Sequence, residues 1–417
     1  MAENPNNNEP SLHVTWAADG SRGGGSIAAL RTVQALKRAG LDARVAAADG
    51  LGAPDLVLPG SGLLDRALRR LFSRLGVHDL HRIATLRVLR DPVWQAARII
   101  HLHVIHSGVL NYALLPAICR GKRVVLTLHD MWPITGNCIY SYDCERWRTG
   151  CGECPYPDRY PAMRRDGSRF GWHAKRWAWR HLNLAVVAPS RWLAGLAAKG
   201  MFGESKVHFI PYPIDTDVFR PYAKREARAR WGIPEDRIVL LFSAHHVADW
   251  RKGGDLLPKV CASLPVELRR RLTVMTLGES ALDLPAGFDV PAVNLGFLGR
   301  DEDKAQAFSA ADLFVFPSRA DNLPLVIQES LSCGTPVLAT DVGGIPDLVR
   351  PGVTGALFPV DDVDAMRAAV LSWAGDGERL RMVAGNCRRI AEAEYSYGVI
   401  APRLRQVYEG MRAEVSA

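Results

Sequence analysis

The sequence predicts an α/β chain made of two doubly wound domains. First, residues 11–48 read as strand, glycine-rich loop, helix and strand, the opening of a parallel α/β domain. Second, a new series of buried strands and helical segments begins after the Pro-rich stretch from Pro211 to Pro221, which reads as a linker. Third, 417 residues suit two domains of roughly 100–200 residues each.

The elements follow in order. Residues 1–10 are polar and predict a disordered tail. Residues 11–18 form a short buried strand, and a loop containing Gly23, Gly24 and Gly25 leads into a helix that ends at Gly40. Apolar runs over 98–105, 122–130, 183–190 and 206–215 predict further strands, with a helix from Arg191. The second half starts with a helix over 225–232. Strands over 237–244, 271–278, 292–298, 312–318 and 335–341 follow, with helical segments between them. The expected domains are 11–215 and 216–395, and the amphipathic segment 396–417 is expected to pack back toward the N-terminal domain.

Hydrophobic residues make up 48% and charged residues 23% of the chain, ordinary globular usage, and the net charge is +8. That charge suits phosphates, anionic lipid or nucleic acid without choosing among them. No basic recognition element with an aromatic platform is visible, so a nucleic-acid partner is not expected. The N-terminus lacks the regions of a signal peptide, and no apolar run approaches the roughly 18 residues of a spanning helix. The expected location is cytoplasmic, where thiols stay reduced.

The C-terminal half carries the strongest chemistry. A buried strand ends at Ser318, a polar loop follows, and Pro324 opens a helix that carries Glu329 and ends near Gly334. Ligands of such sheets sit beyond the carboxyl ends of the strands, and amides at a helix N-terminus suit an anion. An ionised Glu329 accepts hydrogen bonds only, so it suits a ribose diol; a plain βαβ unit with a surface Glu is the alternative.

The residues from Asp321 to Val337 resemble the retaining family-four glycosyltransferases of the GT-B fold. Their signature is Glu, seven residues, Glu, then a small-Cys-Gly-Thr-Pro-Val turn. Glu329 is the second Glu, Ser332-Cys333-Gly334-Thr335-Pro336-Val337 is the turn, and Asp321 stands at the first position, one methylene short. The run Asp321 to Pro324 looks like a subgroup of exopolysaccharide, colanic-acid and O-antigen enzymes. The resemblance implies two Rossmann-like domains facing a cleft, with a nucleotide-diphosphate sugar as donor and no cofactor required for catalysis. It implies that Glu329 holds the ribose, and that Asp321 with the amides of Asn322 and Leu323 holds the transferred sugar. Upstream, Arg251-Lys252-Gly253 matches the segment whose Lys binds the donor diphosphate, a point charge on a phosphate. The Arg usual six residues before that Lys falls at His246, so Arg251 or a neighbouring His takes its role.

In the N-terminal half the resemblance places the Gly24 and Gly25 amides on the donor phosphates and His129 near the reaction centre, in an orienting or electrostatic role. A strand-end His bonded to a backbone carbonyl is the plain alternative. His101 and His103 are two apart on a strand and share one face, and His106 is nearest that strand's end. Such clustered histidines also suit a metal, which GT-B enzymes generally do not need.

Cys138, Cys144, Cys151 and Cys154 have the spacing C-x5-C-x6-C-x2-C. Four thiolates would close a structural zinc site; two disulfides or free thiols are the alternatives. Two Arg-rich stretches, residues 63–75 and 163–180, suit either an anionic leaflet or helices that pack their apolar stripe inward. The resemblance implies transfer, with retention, to a hydroxyl of a glycan or polyprenyl-diphosphate-linked acceptor in cell-surface polysaccharide synthesis, with peripheral membrane contact. The departures at Asp321 and His246 keep a second expectation open, a catalytically weak paralogue acting as a scaffold.

Overall fold

The computed structural model describes residues 9–19, 23–246, 249–279 and 288–413. It divides into two compact units, Met1–Pro213 with Tyr397–Ala417, and Ile214–Ser396. Most of the tail expected to be disordered, residues 1–8, lies outside the described residues. The carbonyl of Pro10 accepts hydrogen bonds from the Arg98 and Ile99 amides.

The first unit is built on seven strands: β1 (Ser11–Thr15), β2 (Ala43–Ala47), β3 (Leu56–Val57), β4 (Ile99–Leu102), β5 (Arg123–Thr127), β6 (Asn183–Ala188) and β7 (Val207–Phe209). They form a parallel sheet in the order β3-β2-β1-β4-β5-β6-β7. The order reverses between β1 and β4, the place where doubly wound sheets put their ligands. Helix α1 (Gly24–Arg38) crosses from β1 to β2. Its Ala28, Ala29, Val33, Ala35 and Leu36 are buried, and Lys37 and Arg38 close its last turn, where the helix dipole favours cations. The helix Tyr397–Ala413 completes this unit's core, packing Ile400, Ala401, Leu404 and Val407 with Val33, Leu36 and Val125. Its first residue is fixed by a 2.8 Å hydrogen bond from the Tyr397 hydroxyl to Gln34.

The second unit has six strands: β8 (Ile238–Ser243), β9 (Leu272–Leu277), β10 (Ala292–Asn294), β11 (Leu313–Phe316), β12 (Val337–Thr340) and β13 (Gly355–Phe358). They are parallel in the order β10-β9-β8-β11-β12-β13, and the reversal lies between β8 and β11. No helix among the described residues is long and apolar enough to cross a membrane.

Three local expectations change. Strand β4 stops at Leu102, so His103 and His106 lie on the segment that leaves the sheet edge. The Pro-rich stretch read as a linker does hold the boundary between the units, after Pro213, but it is packed rather than open: Tyr212, Ile214 and Phe219 are buried, because prolines there set an extended path between bulky apolar anchors. Residues 63–75 form helix α2 (Leu63–Arg74), and it turns its apolar stripe only partly inward, with Leu68 and Phe72 half-buried. Its buried residue is Asp65, which caps the Gly62, Ile83 and Ala84 amides, while Leu63, Leu64, Leu71 and the following Leu75 are exposed. The other Arg-rich stretch does pack inward, with Trp172, Lys175 and Trp179 buried on the helix Ser168–Arg180.

Candidate active site

In the second unit, Ser318 to Pro324 leave the carboxyl end of β11 and lead into the helix Leu325–Ser332, whose N-cap is Pro324 with no capping side chain. Asp321, Asn322, Leu323 and Glu329 are all buried. Asp321 is the centre of a charged cluster. Its Oδ2 lies 2.5 Å from Lys252 Nζ, 3.4 Å from an Arg251 guanidinium nitrogen and 3.4 Å from Ser318 Oγ. Burial alone would raise the Asp321 carboxyl, but the Lys252 and Arg251 cations outweigh it and hold it below the usual carboxylate range.

The backbone holds this cluster in place. Gly253, with φ +71°, follows Lys252, and a Cβ there would stand 1.9 Å from the Pro317 carbonyl oxygen. Gly343, with φ +59°, would put a Cβ 1.9 Å from the Asp321 carbonyl oxygen, which instead accepts the Gly344 amide at 3.3 Å. Both sites need the missing side chain and the left-handed backbone. Arg251 also donates to the Ala320 carbonyl at 2.9 Å, and Arg319 donates its amide to the Arg251 carbonyl at 2.8 Å. Asp321, Lys252 and Arg251 therefore form one rigid group. His246 does not join it: it is exposed and lies 3.2 Å from Glu279.

In the first unit, α1 starts at the carboxyl end of β1. Gly23, at φ +92°, is its N-cap, no side chain caps it and no acidic residue stands in its first turn. The first amides of a helix have no intrahelical acceptor, so Gly24 and Gly25 present N–H groups suited to an anion. A Cβ on Gly25 would stand 2.6 Å from Val104 Cγ2 and 3.5 Å from the His129 ring, so glycine lets the helix start close to His129. Burial pushes His129 down to about 4, and its Nδ1 lies 2.9 Å from the Tyr212 hydroxyl. His106 behaves oppositely: burial opposes its charge, but Asp130 at 3.3 Å outweighs this and holds it above its ordinary value. A cavity of ≈ 680 Å³ lined by Arg120, Lys122 and Arg123 opens at the amino ends of β5 and β6, away from the edge where such sheets bind ligands.

All four clustered cysteines are free and line one small cavity of ≈ 20 Å³. Gly150, Cys151, Gly152 and Glu153 all have positive φ, which folds the chain tightly around Cys151 and Cys154. The Gly136 amide donates to Cys151 Sγ at 3.2 Å, and the Tyr156 amide donates to Cys154. Burial pushes the Cys138 thiol up to about 11.

Sequence reasoning overlooked Tyr212, His13 and Ser318. Tyr212 was hidden in a stretch read as a linker. His13 had a usable signal, a polar side chain in the middle of an otherwise buried five-residue strand.

Two family profiles tile most of the chain. "Glycosyltransferase Family 4" matches residues 22–218 and "Glycosyl transferases group 1" matches 223–389. The chain belongs to the group 1 glycosyltransferases of GT-B fold. WcaC of Escherichia coli K12, whose name assigns it to colanic acid biosynthesis, is 30% identical over 289 residues, 66% of each chain. A D-inositol 3-phosphate glycosyltransferase of Catenulispora acidiphila is 33% identical over 244 residues, 54% of this chain and 58% of its own. The chain thus matches somewhat under two thirds of the length of these relatives. Among solved structures, sucrose-phosphate synthase of Thermosynechococcus elongatus superposes with a TM-score of 0.69 at 20% identity, covering 97% of this chain and 100% of that one. HepE of Anabaena, solved with UDP-glucose, gives 0.69 at 16% identity, covering 96% and 99%. These likenesses establish the fold of this family member.

Proposed function

We propose that this family member transfers a sugar, with retention, from a nucleotide-diphosphate sugar to a hydroxyl of a glycan or polyprenyl-diphosphate-linked acceptor in cell-surface polysaccharide synthesis. The observation that carries the proposal is the part-buried Asp321–Lys252–Arg251 group beside the helix of Glu329, at the strand reversal of the second sheet. Glu329 takes the ribose diol. Lys252 and Arg251 take the diphosphate, and Lys252 then shares its charge between phosphate and Asp321. Asp321 with the amides of Asn322 and Leu323 meets the transferred sugar. Gly24 and Gly25 offer amides to the phosphates, and His129 orients the reacting groups. Cations on the diphosphate stabilise the charge that develops as the glycosidic bond breaks.

Nucleotide release from UDP-, GDP- and ADP-sugars tests this reading. Release is expected with at least one donor. Glu329→Ala is expected to weaken nucleotide binding about 10- to 100-fold, the scale of one or two charge-assisted hydrogen bonds. His129→Ala is expected to lower turnover with nucleotide affinity kept. No release and no thermal shift with any nucleotide would overturn the enzyme and leave the scaffold.

We propose a structural zinc ion as the finer reading of Cys138, Cys144, Cys151 and Cys154. The cavity is about ion-sized, and amides already point at two sulfurs, as they do where thiolates carry charge. Among the described residues no three of the sulfurs lie within 4.8 Å of one another; zinc bonds of about 2.3 Å would draw them to about 3.8 Å. Elemental analysis of the purified full chain is expected to find close to one zinc per chain, lost in Cys151→Ser/Cys154→Ser. Zinc-free protein with four titratable thiols would defeat this reading.

The exposed face of α2 is the proposed membrane contact. Leu64, Leu71 and Leu75 lie on one side and the exposed Arg66, Arg69, Arg70 and Arg74 lie around the rest of the helix, the chemistry of an anionic lipid surface.

A further inference from the structure

A line of hydrogen bonds runs through the core of the first unit. His13 on β1 stands directly opposite His101 on β4, so both project from the same face of the sheet. His103 and His129 follow two residues after His101 and Thr127. Ser11 Oγ lies 3.3 Å from His13 Nε2, His13 Nδ1 3.1 Å from His103 Nε2, and His103 Nδ1 3.1 Å from His129 Nε2. His129 Nδ1 ends the line 2.9 Å from the Tyr212 hydroxyl. His101 stacks on His103 with centroids 4.2 Å apart but stays outside the line, bonding Tyr408 and Thr127 at 2.7 Å each.

Burial keeps these rings neutral at pH 7: His13 is pushed down to about 3, His129 to about 4, and His101 and His103 go well below their ordinary value. A neutral imidazole has one N–H and one bare nitrogen. In a line of three, every link holds one proton, so the direction chosen at one end fixes all the others. Ser11 makes that choice. Its hydroxyl has one proton, and the Asp42 carbonyl lies 3.3 Å away as acceptor. With the proton placed there, Ser11 Oγ accepts from His13 Nε2–H. His13 Nδ1 then accepts from His103 Nε2–H, and His103 Nδ1 accepts from His129 Nε2–H. His129 Nδ1 is left to accept from the Tyr212 hydroxyl.

We propose that Ser11, His13, His103 and Tyr212 are positioning residues for His129, which they hold as the neutral Nε2–H tautomer with its Nδ1 lone pair on Tyr212. The assignment of nitrogens needs no activity. Its consequence for turnover rests on the proposed role of His129, which becomes an oriented dipole rather than a proton acceptor. The ligand nitrogens of His13, His101 and His103 also lie within 4.8 Å of one another, a spacing a metal could use. All six of those nitrogens already have a hydrogen-bond partner, so an ion would have to break bonds that the line accounts for.

Long-range proton–nitrogen NMR on the histidine-labelled full chain reads each tautomer directly. His13, His103 and His129 are expected to show the Nε2–H pattern. Ser11→Ala removes the anchor, and His129, two imidazoles away, is expected to become a mixture of tautomers. An Nδ1–H pattern at His129 in the parent protein, or a pattern indifferent to Ser11→Ala, would overturn the proposal. In nucleotide release, His103→Leu is expected to lower kcat about tenfold with the donor KM unchanged, and His103→Gln, which keeps a donor and an acceptor, is expected to restore most of it. Equal loss in both variants also counts against the line. If the parent protein releases no nucleotide, the tautomer measurement still decides, so failure of the function and failure of the line are told apart.

Discussion

Asp321→Asn is expected to lower the free energy of unfolding by about 3 kcal/mol, the low end for breaking a buried ion pair, because the three side chains keep 11–23% exposure. The reason is what remains behind. Lys252 loses the carboxylate that compensates it and Arg251 loses one of two, Asp249 at 3.3 Å being the other, while Gly253 and the Ala320 carbonyl fix their backbone and guanidinium positions and limit how far either can turn toward water. Asp321→Asn/Lys252→Met is expected to recover much of the loss, and urea unfolding of the four proteins closes the cycle. The sign of the pH dependence follows from the depressed Asp321 carboxyl. Its stabilisation is present above the unfolded value near about 3.9 and is lost as pH falls through the lower folded value. The gap between Asp321→Asn and the parent is therefore expected to close in acid. Donor turnover is expected to fall together with stability, whereas Asp321→Glu keeps the charge and is expected to alter donor preference while the fold survives. Equal stability of Asp321→Asn and the parent at neutral pH would show that the pair carries no structural charge.

The parallel order was legible because buried runs such as Ile238–Ser243 and Leu313–Phe316 need both faces covered. Strand β3 has two residues, too few for a periodic signal, and β13, Gly-Ala-Leu-Phe, has no β-branched residue. The residues around Asp321 were legible through a motif, but their mutual ion pair was not. Spacing places Lys252 and Asp321 on different strands' ends, and only the sheet order brings them to 2.5 Å. The imidazole line was hidden for the same reason: the sequence shows that His101 and His103 share a face, but the partner on β1 depends on the β1–β4 register. For α2 the periodicity was visible and its direction was not. A hydrophobic stripe has the same spacing whether it meets a core or stays outside, and only the structure shows Asp65 buried, Leu68 and Phe72 half-buried and Leu64, Leu71 and Leu75 exposed.

That outward stripe gives the other large effect. The parent chain is expected to sediment with vesicles containing anionic lipid and not with neutral ones. Leu64→Glu/Leu71→Glu is expected to weaken the partition by about 100-fold or more, since each buried leucine contributes about 1.5–3 kcal/mol. Replacing Arg66, Arg69, Arg70 and Arg74 by Gln is expected to remove the preference for anionic lipid, at about 1 kcal/mol per charge. High salt should imitate that loss through screening. The thermal midpoint is expected to change little in either variant, because the leucines changed are 60% and 51% exposed and the four arginines are exposed as well. Sedimentation indifferent to lipid charge would remove the arginines from the account. Concentration-dependent dimerisation without vesicle binding would assign the stripe to a second copy of the chain. A lipid surface is favoured because an anionic leaflet neutralises the arginines while the leucines enter its acyl boundary.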